Sequence, residues 1–173
     1  LSNNNVITIL SCDNNTLSSL NVNNMTSLSS LSCIGSYLPS LSLTSNTSLQ
    51  ELTVSNNQLS SLNLNNNTAL LTADLSENLL TSISISNNTA LTSFNVGNNS
   101  LTSLTVTSNT ALTDLNLESN NISSLNLSTL TNLTALYASN NALTTLDISN
   151  NSNLVSIHAT VNGMTSITID RKS

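Results

Sequence analysis

LTSFNVGNNSLTSLTVTSNTA, residues 91–111, decides how this chain folds. With Leu91 as position 1, apolar side chains stand at positions 1, 4, 6, 11, 14 and 16 (Leu91, Phe94, Val96, Leu101, Leu104 and Val106), and Asn stands at 9 and 19 (Asn99 and Asn109). The unit falls into two similar halves of 10 and 11 residues, each reading LxLxxN around its second and third apolar positions. Alternation with period two marks a short strand, and the polar residues after it mark a turn. The same frame opens at Ile7, Leu28, Leu49, Leu70, Leu91, Leu112, Leu133 and Leu154, always 21 residues apart and without insertion. A fixed period of this length predicts a solenoid in which each repeat is one coil.

These residues resemble the leucine-rich repeats, specifically the bacterial 21-residue pattern LxxLxLxxNxLxxLxLxxNxx, from residue 7 to about residue 170. The resemblance implies an all-β fold: a leucine-rich-repeat β-solenoid of eight 21-residue coils with two parallel β-sheet faces, one per strand of the repeat. It implies no particular function, because such repeats carry many unrelated binding surfaces. Family members commonly carry Asp at position 15, whereas this chain has Asn21, Ser42, Asn63, Ser84, Thr105, Asn126, Asp147 and Thr168 there. The acid is kept once.

A coil cannot fold alone, since its few buried side chains do not offset the entropy of ordering the whole repeat; neighbours must cover its open faces. Residues 1–173 are therefore expected to form a single stack. Leu1 to Val6 match positions 16 to 21 of a preceding coil, and the chain stops at Ser173 after a second strand with no amphipathic cap. The expectation is a fragment of a longer protein, with Asp170, Arg171 and Lys172 starting a cap or a linker.

Ser, Thr and Asn make up more than half of the 173 residues, and neither Lys nor Arg occurs before Arg171. A net charge of −6 with only two basic residues leaves nothing to line a phosphate track, so nucleic acid is not an expected partner. No apolar run approaches the roughly 20 residues that span a bilayer, so membrane insertion is not expected, and no signal peptide is present. A secreted or surface-attached segment, bacterial by its repeat type, fits best. The unbroken apolar period argues against the disorder that such a polar composition could signal.

Side chains between the inward-pointing apolar residues face outward. On the first-strand face, positions 3, 5 and 7 vary from coil to coil, and with Glu77 at its edge this face holds six of the eight acids. Asp74, Asp114, Glu118, Tyr137 and His158 stand out, the last two in the same column of adjacent coils. On the second-strand face, positions 13, 15 and 17 are uniform: Ser40, Ser42, Thr44, Ser61, Asn63, Asn65, Ser82, Ser84, Ser86, Ser103, Thr105, Thr107, Ser124, Asn126 and Ser128 are all small and uncharged, and Asp147 is the first acid.

Two functions fit this pair of surfaces. If strands on the second face pair at about 4.8 Å and alternate side chains repeat at about 6.6 Å along them, the face becomes a flat grid, similar by analogy to ice-binding β-solenoids. The partner would then be an ice crystal surface. Small hydroxyl and methyl groups can order a water layer, whereas long charged side chains hold hydration shells that do not merge with ice. Alternatively, the variable first-strand face reads a protein or glycan ligand, as aromatic and charged residues on a repeat surface can do. Low charge is also what an in-register stack requires, since identical charges in one column repel.

Other columns read as structural. Asn15, Asn57, Asn78, Asn99, Asn120, Asn141 and Asn162 at position 9, broken only by Ser36, are expected to satisfy turn backbone groups. Thr47, Thr68, Thr89, Thr110, Thr131 and Ser152 at position 20 are expected to cap turns. Cys12 and Cys33 share position 6 and read as two buried thiols, because parallel side-chain vectors hold their Cβ atoms apart. No catalytic residues, metal ligands or cofactor are expected. The only histidine is His158, no zinc pattern or Gly-rich phosphate loop occurs, and Asp114, Asn116 and Glu118 fall short of calcium's roughly six to eight oxygens. The Asn-x-Ser/Thr triplets at Asn46, Asn66, Asn87 and Asn98 arise by chance in such a composition.

Overall fold

A computed structural model describes residues 4–169. The chain is wound as a stack of repeats into a parallel β-solenoid, with no helix among the described residues. Eight three-residue strands form one continuous sheet in the order β1 (Ile9–Ser11), β2 (Ser30–Ser32), β3 (Glu51–Thr53), β4 (Thr72–Asp74), β5 (Ser93–Asn95), β6 (Asp114–Asn116), β7 (Ala135–Tyr137) and β9 (Ser156–His158). Each pairs with its neighbour in a register offset of one repeat, as in Leu31↔Leu52 and Leu115↔Leu136. The period read from residues 91–111 is thus the hydrogen-bonding register of the sheet.

Bonds between coils continue beyond the strands. The position-6 N–H donates to the position-5 carbonyl of the next coil (Val96 to Asn116 O, 2.8 Å), and the position-8 N–H to the next position-7 carbonyl (Asn98 to Glu118 O, 2.8 Å). The backbone at position 8 is left-handed in every coil: Asn14, Asn56, Glu77, Asn98, Ser119, Asn140 and Val161 have φ between 54° and 56°, and Gly35 has φ 64°. Gly and Asn tolerate this region, whereas a β-branched residue there is strained. Val161 is also largely exposed, so its side chain gains little in return. Val161→Asn is expected to raise stability by about 1 kcal/mol, read as a higher unfolding midpoint; an unchanged or lower midpoint would show that the turn tolerates valine.

Columns 1, 4, 6, 11 and 16 are buried throughout the middle coils, as for Leu91, Phe94, Val96, Leu101 and Val106. Column 14 is looser, with Leu41, Leu62 and Leu104 at 7–9% exposure and Ile83 and Leu125 more open.

That looseness belongs to the face where the structure departs from expectation. The second-strand face forms a ladder only between β8 (Thr145–Asp147) and β10 (Ser166–Thr168). In the first six coils the same segments form no strand and pair with no neighbour. Their turns are closed locally instead, by bonds such as Asn109 N–H to Val106 O and Leu112 N–H to Asn109 O, both 3.0 Å. Grooves of about 280 and 150 Å³ lie between successive coils there, the first lined by Leu104, Thr105, Thr107, Ser124 and Asn126, the second by Asn126, Ser128 and Asp147. No ladder therefore enforces a 4.8 Å repeat on this face in the first six coils.

Two columns of asparagine stitch the coils. At position 9, Asn120 Nδ2 donates to Val96 O in the preceding coil and to Leu117 O in its own, while its Oδ1 accepts the Leu101 N–H. Asn57, Asn78, Asn99, Asn141 and Asn162 repeat the pattern. Where the column breaks, Ser36 donates its hydroxyl to Asn15 O. At position 19, Asn46, Asn67, Asn88, Asn109 and Asn151 are buried and donate Nδ2 to two carbonyls of the preceding coil, but their Oδ1 atoms have no hydrogen-bond partner. The position-20 hydroxyls differ from expectation: Thr47, Thr68, Thr89, Thr110, Thr131 and Ser152 are exposed and donate no hydrogen bond. Their turns are tied by neighbours instead, as by Asn66 Nδ2 to Thr44 O and Thr129 Oγ1 to Thr107 O.

Candidate functional site

The first-strand face is held by the eight-stranded sheet, so its side chains keep a fixed spacing. Tyr137 and His158 are direct partners in the β7–β9 register. Their rings stack with centroids 5.0 Å apart and planes at 17°, the offset geometry that aromatic pairs favour. Tyr137 is half-buried and His158 exposed, so the pair presents a rigid aromatic surface with one ring open to a ligand. The preceding members of that column are Asn95 and Asn116.

The acids have unequal freedom. Asp74 is bound to its own turn, its Oδ1 accepting both the N–H of Ser76 at 3.0 Å and the Ser76 hydroxyl at 2.6 Å. Asn95 and Asn116 accept the N–H groups of Gly97 and Glu118 in the same way. Gly97 suits its place because a Cβ there would meet Asn95 Oδ1, Asn116 Oδ1 and Glu118 O, all at 3.3 Å. Asp114 is exposed and accepts the Thr113 hydroxyl at 2.7 Å. Glu118 is half-buried, and its carboxylate makes no hydrogen bond. Asp114, Glu118, Tyr137 and His158 therefore lie on three adjacent coils of one sheet, while Asp74 sits farther back with its carboxylate occupied. Among the described residues no three His, Cys, Asp or Glu side chains gather in a way that could hold a metal ion.

Asp13, not among the expected site residues, is the most engaged acid. Its Oδ1 accepts the Ser32 hydroxyl at 2.6 Å and the Ile34 N–H at 2.8 Å from the next coil, and its Oδ2 accepts the Ser11 hydroxyl at 3.1 Å. The Ser32 hydroxyl first, then the Ile34 N–H, hold its carboxyl below the usual aspartate value, with burial opposing. A lowered folded pKa contributes stability that is fully present above the unfolded value and lost as pH falls through the folded one. The first coil is accordingly expected to loosen from the second in that acidic window, and Asp13→Asn to flatten the dependence. Hydrogen exchange at Ile34 checks this; protection unchanged by acid would remove the role. The sequence signal was available in Asp13 at position 7 beside the position-5 serines Ser11 and Ser32, but which coil it bonds is set by the register.

Beside Asp13, the Cys12 thiol is pushed up to about 12 by burial first and then by Cys33 and Asp13. Cys33 is buried and both thiols are free, in line with a packing role.

On the second-strand face, fourteen of the fifteen nominated residues are exposed and Thr107 is half-buried. Several are engaged in local bonds. Asn63 and Asn126 Oδ1 accept the N–H groups of Asn65 and Ser128, Ser42 bonds Thr44 at 3.4 Å, and Ser84 bonds Ser86 at 3.2 Å. Position 15 is thus a turn-closing position, which accounts for Asp147 doing the same to Ser149. The Ser149 N–H, then its hydroxyl, lower the Asp147 pKa. Asp170 lies outside the described residues.

No protein-family model matches the sequence, and no curated protein does. Solved structures do. An internalin, InlF, from Listeria monocytogenes superposes with a TM-score of 0.75 at 29% identity over 87% of this chain and 46% of its own length. An internalin C2 from the same organism superposes at TM-score 0.87 with 22% identity over 93% of this chain and 74% of its own. InlJ of Listeria monocytogenes, described as having a functional domain that includes a cysteine ladder, matches at TM-score 0.61 and 26% identity over 91% of this chain and 44% of its own. This chain thus spans less than half the length of InlF and InlJ. The fold is a leucine-rich-repeat solenoid, as residues 91–111 predict.

Proposed function

We propose that this chain is a non-catalytic recognition module that binds a protein or glycan through its first-strand face, in a secreted or surface-attached protein. The observation that carries this reading is the contrast between the two faces. Hydrogen bonds hold every coil of the first face in register and fix the Tyr137–His158 stack, so a ligand meets preorganised side chains and little ordering cost. Aromatic anchors dominate such surfaces, and a sugar ring or an apolar side chain can lie on the open His158 face. Asp114 and Glu118 add acceptors at the same end. The likeness to internalins supports a repeat module of this kind without naming its ligand.

The test is binding of the labelled chain to an array of glycans and to immobilised extracellular proteins. Tyr137→Ala is expected to weaken the bound ligand at least about tenfold, roughly 1.4 kcal/mol, while Thr105→Tyr leaves it unchanged. Loss on Thr105→Tyr alone would move the site to the other face.

A second function, adsorption to ice through the second-strand face, is favoured by one observation: the exposed columns of six successive coils carry no charge. Against it stand the unpaired strands and the grooves between coils. Thr105→Tyr would abolish inhibition of ice recrystallisation and Asn95→Tyr would spare it. Crystals growing as in buffer with the unaltered chain would eliminate this function.

A further inference from the structure

We propose that Cys12 and Cys33 form a two-coordinate site for a soft monovalent metal ion, Cu(I), inside the solenoid. The two residues share position 6 of adjacent coils, and both thiols are free. Their backbones are held side by side. β1 and β2 pair in register up to Ser11 and Ser32, and the Cys12 N–H continues the ladder to Ser32 O at 2.9 Å. The Cys33 N–H does the same to Thr53 O of the third coil, also at 2.9 Å. Both side chains therefore leave the sheet on its inner side with nearly parallel vectors, one strand spacing of about 4.8 Å apart. Cys33 is buried, and so is Val54, the next residue in the column.

That separation selects among the things two thiols can do. A disulfide needs sulfurs about 2.05 Å apart and Cβ atoms usually within about 3.5–4.5 Å, so parallel neighbours would have to lean steeply together against the ladder that spaces them. A metal ion midway between them asks for much less. Metal–thiolate bonds are about 2.3 Å long, and two of them in line span about 4.6 Å, close to the spacing that strand pairing sets. The Cβ–S–metal angle is then near a right angle, and a small tilt of each sulfur opens it to the ordinary thiolate value. Cys12 Sγ donates to Ser32 O at 3.4 Å, which inclines this sulfur toward the second coil.

Ligand number and softness name the metal. Among the described residues no third His, Cys, Asp or Glu joins the pair in a cluster, and the flanking inward columns bring Leu10, Leu17, Leu31 and Leu38. Asp13 points to the outer side of the sheet, where the Ser32 hydroxyl and the Ile34 N–H hold its carboxylate. Structural zinc takes four ligands and calcium about six to eight oxygens, which two sulfurs in an apolar core do not supply. Cu(I) has a filled d shell, is selected by thiolates and accepts two of them in a line. On binding, each thiol releases its proton to solvent and two sulfur–copper bonds form; copper stays at +1 and no electron is transferred. Burial first, and then Cys33 and Asp13, raise the Cys12 thiol to about 12. Without a soft metal it therefore stays protonated at neutral pH, a poor nucleophile toward oxidants and no ligand for hard cations.

Anaerobic titration of the reduced 173-residue chain with Cu(I) against the chromophoric chelator bicinchoninate tests this. One copper per chain is expected, with an X-ray absorption spectrum showing two sulfur neighbours and no nitrogen or oxygen. Valine already occupies this column in the third and fifth coils as Val54 and Val96, both buried, so Cys12→Val and Cys33→Val suit the stack, and circular dichroism checks their fold. Each is expected to weaken binding at least about a hundredfold. Adding Val54→Cys to Cys12→Val moves the pair one coil inward on the same ladder and is expected to restore the site. Copper left entirely with the chelator, binding untouched by either valine, nitrogen or oxygen around the metal, or no recovery with Val54→Cys would overturn the proposal.

Discussion

Phe94→Ala is expected to lower the unfolding free energy by about 3–5 kcal/mol, a large share of what a domain of this size possesses. Phe94 is 1% exposed and lies in column 4, paired in register with Ala73 on one side and Leu115 on the other. Leucine fills that column in most coils; here the bulk of phenylalanine faces the small Ala73. Truncation would set two alanines side by side in the middle of the stack, where the paired backbone cannot collapse to fill the space. Because each coil is stabilised only by its neighbours, the weakened step is also expected to let the two ends of the stack unfold less cooperatively, seen as a smaller denaturant slope. A loss below about 1 kcal/mol would mean that the core rearranges around the deletion.

The two asparagine columns are expected to respond differently to the same change. Asn120→Ala deletes an acceptor for the buried Leu101 N–H at 2.9 Å and donors to Val96 O and Leu117 O. At about 1–3 kcal/mol for each buried group left unpaired, the cost is about 3 kcal/mol or more. Asn88→Ala also strips partners from Leu64 O and Asn67 O, but it removes with them an Oδ1 that has no partner. Relief of that uncompensated atom offsets part of the loss, leaving about 1–2 kcal/mol. Paired denaturant titrations of the two variants decide it, and equal losses would show that both Oδ1 atoms are equally well solvated or satisfied.

The fold was legible in the sequence because one rule is repeated without slippage. The inward columns, the register of the first sheet, the position-9 asparagines and the meeting of Tyr137 with His158 all follow from a period of 21 and the alternation of strand side chains. What was not legible depends on how closely coils approach each other. Ser103-Leu104-Thr105 and Ser93-Phe94-Asn95 have the same polar-apolar-polar form, yet only the second pairs with its neighbours. Composition does not encode that difference, since pairing on one face sets the axial repeat and the turns at positions 16 to 21 take up the remainder through local bonds. For the same reason Asp74 looked available as a recognition residue, although Ser76 occupies its carboxylate. The left-handed turn at position 8 left a clear trace in Asn14, Gly35, Asn56, Asn98 and Asn140, while Glu77, Ser119 and Val161 blurred it.

A stack whose backbones bond one another along one side, and which is tied along the other only through side chains such as Asn88 Nδ2 to Leu64 O, behaves like a book held by its spine. Bending that changes the gaps between second-strand segments meets no backbone-to-backbone ladder in the first six coils and loads only side-chain bonds such as Asn109 Nδ2 to Ile85 O, whereas the same bend in the opposite plane would shear the sheet. Compliance is therefore directional: the molecule can change its curvature to follow a partner's contour while the spacing of the side chains on its sheet face stays constant.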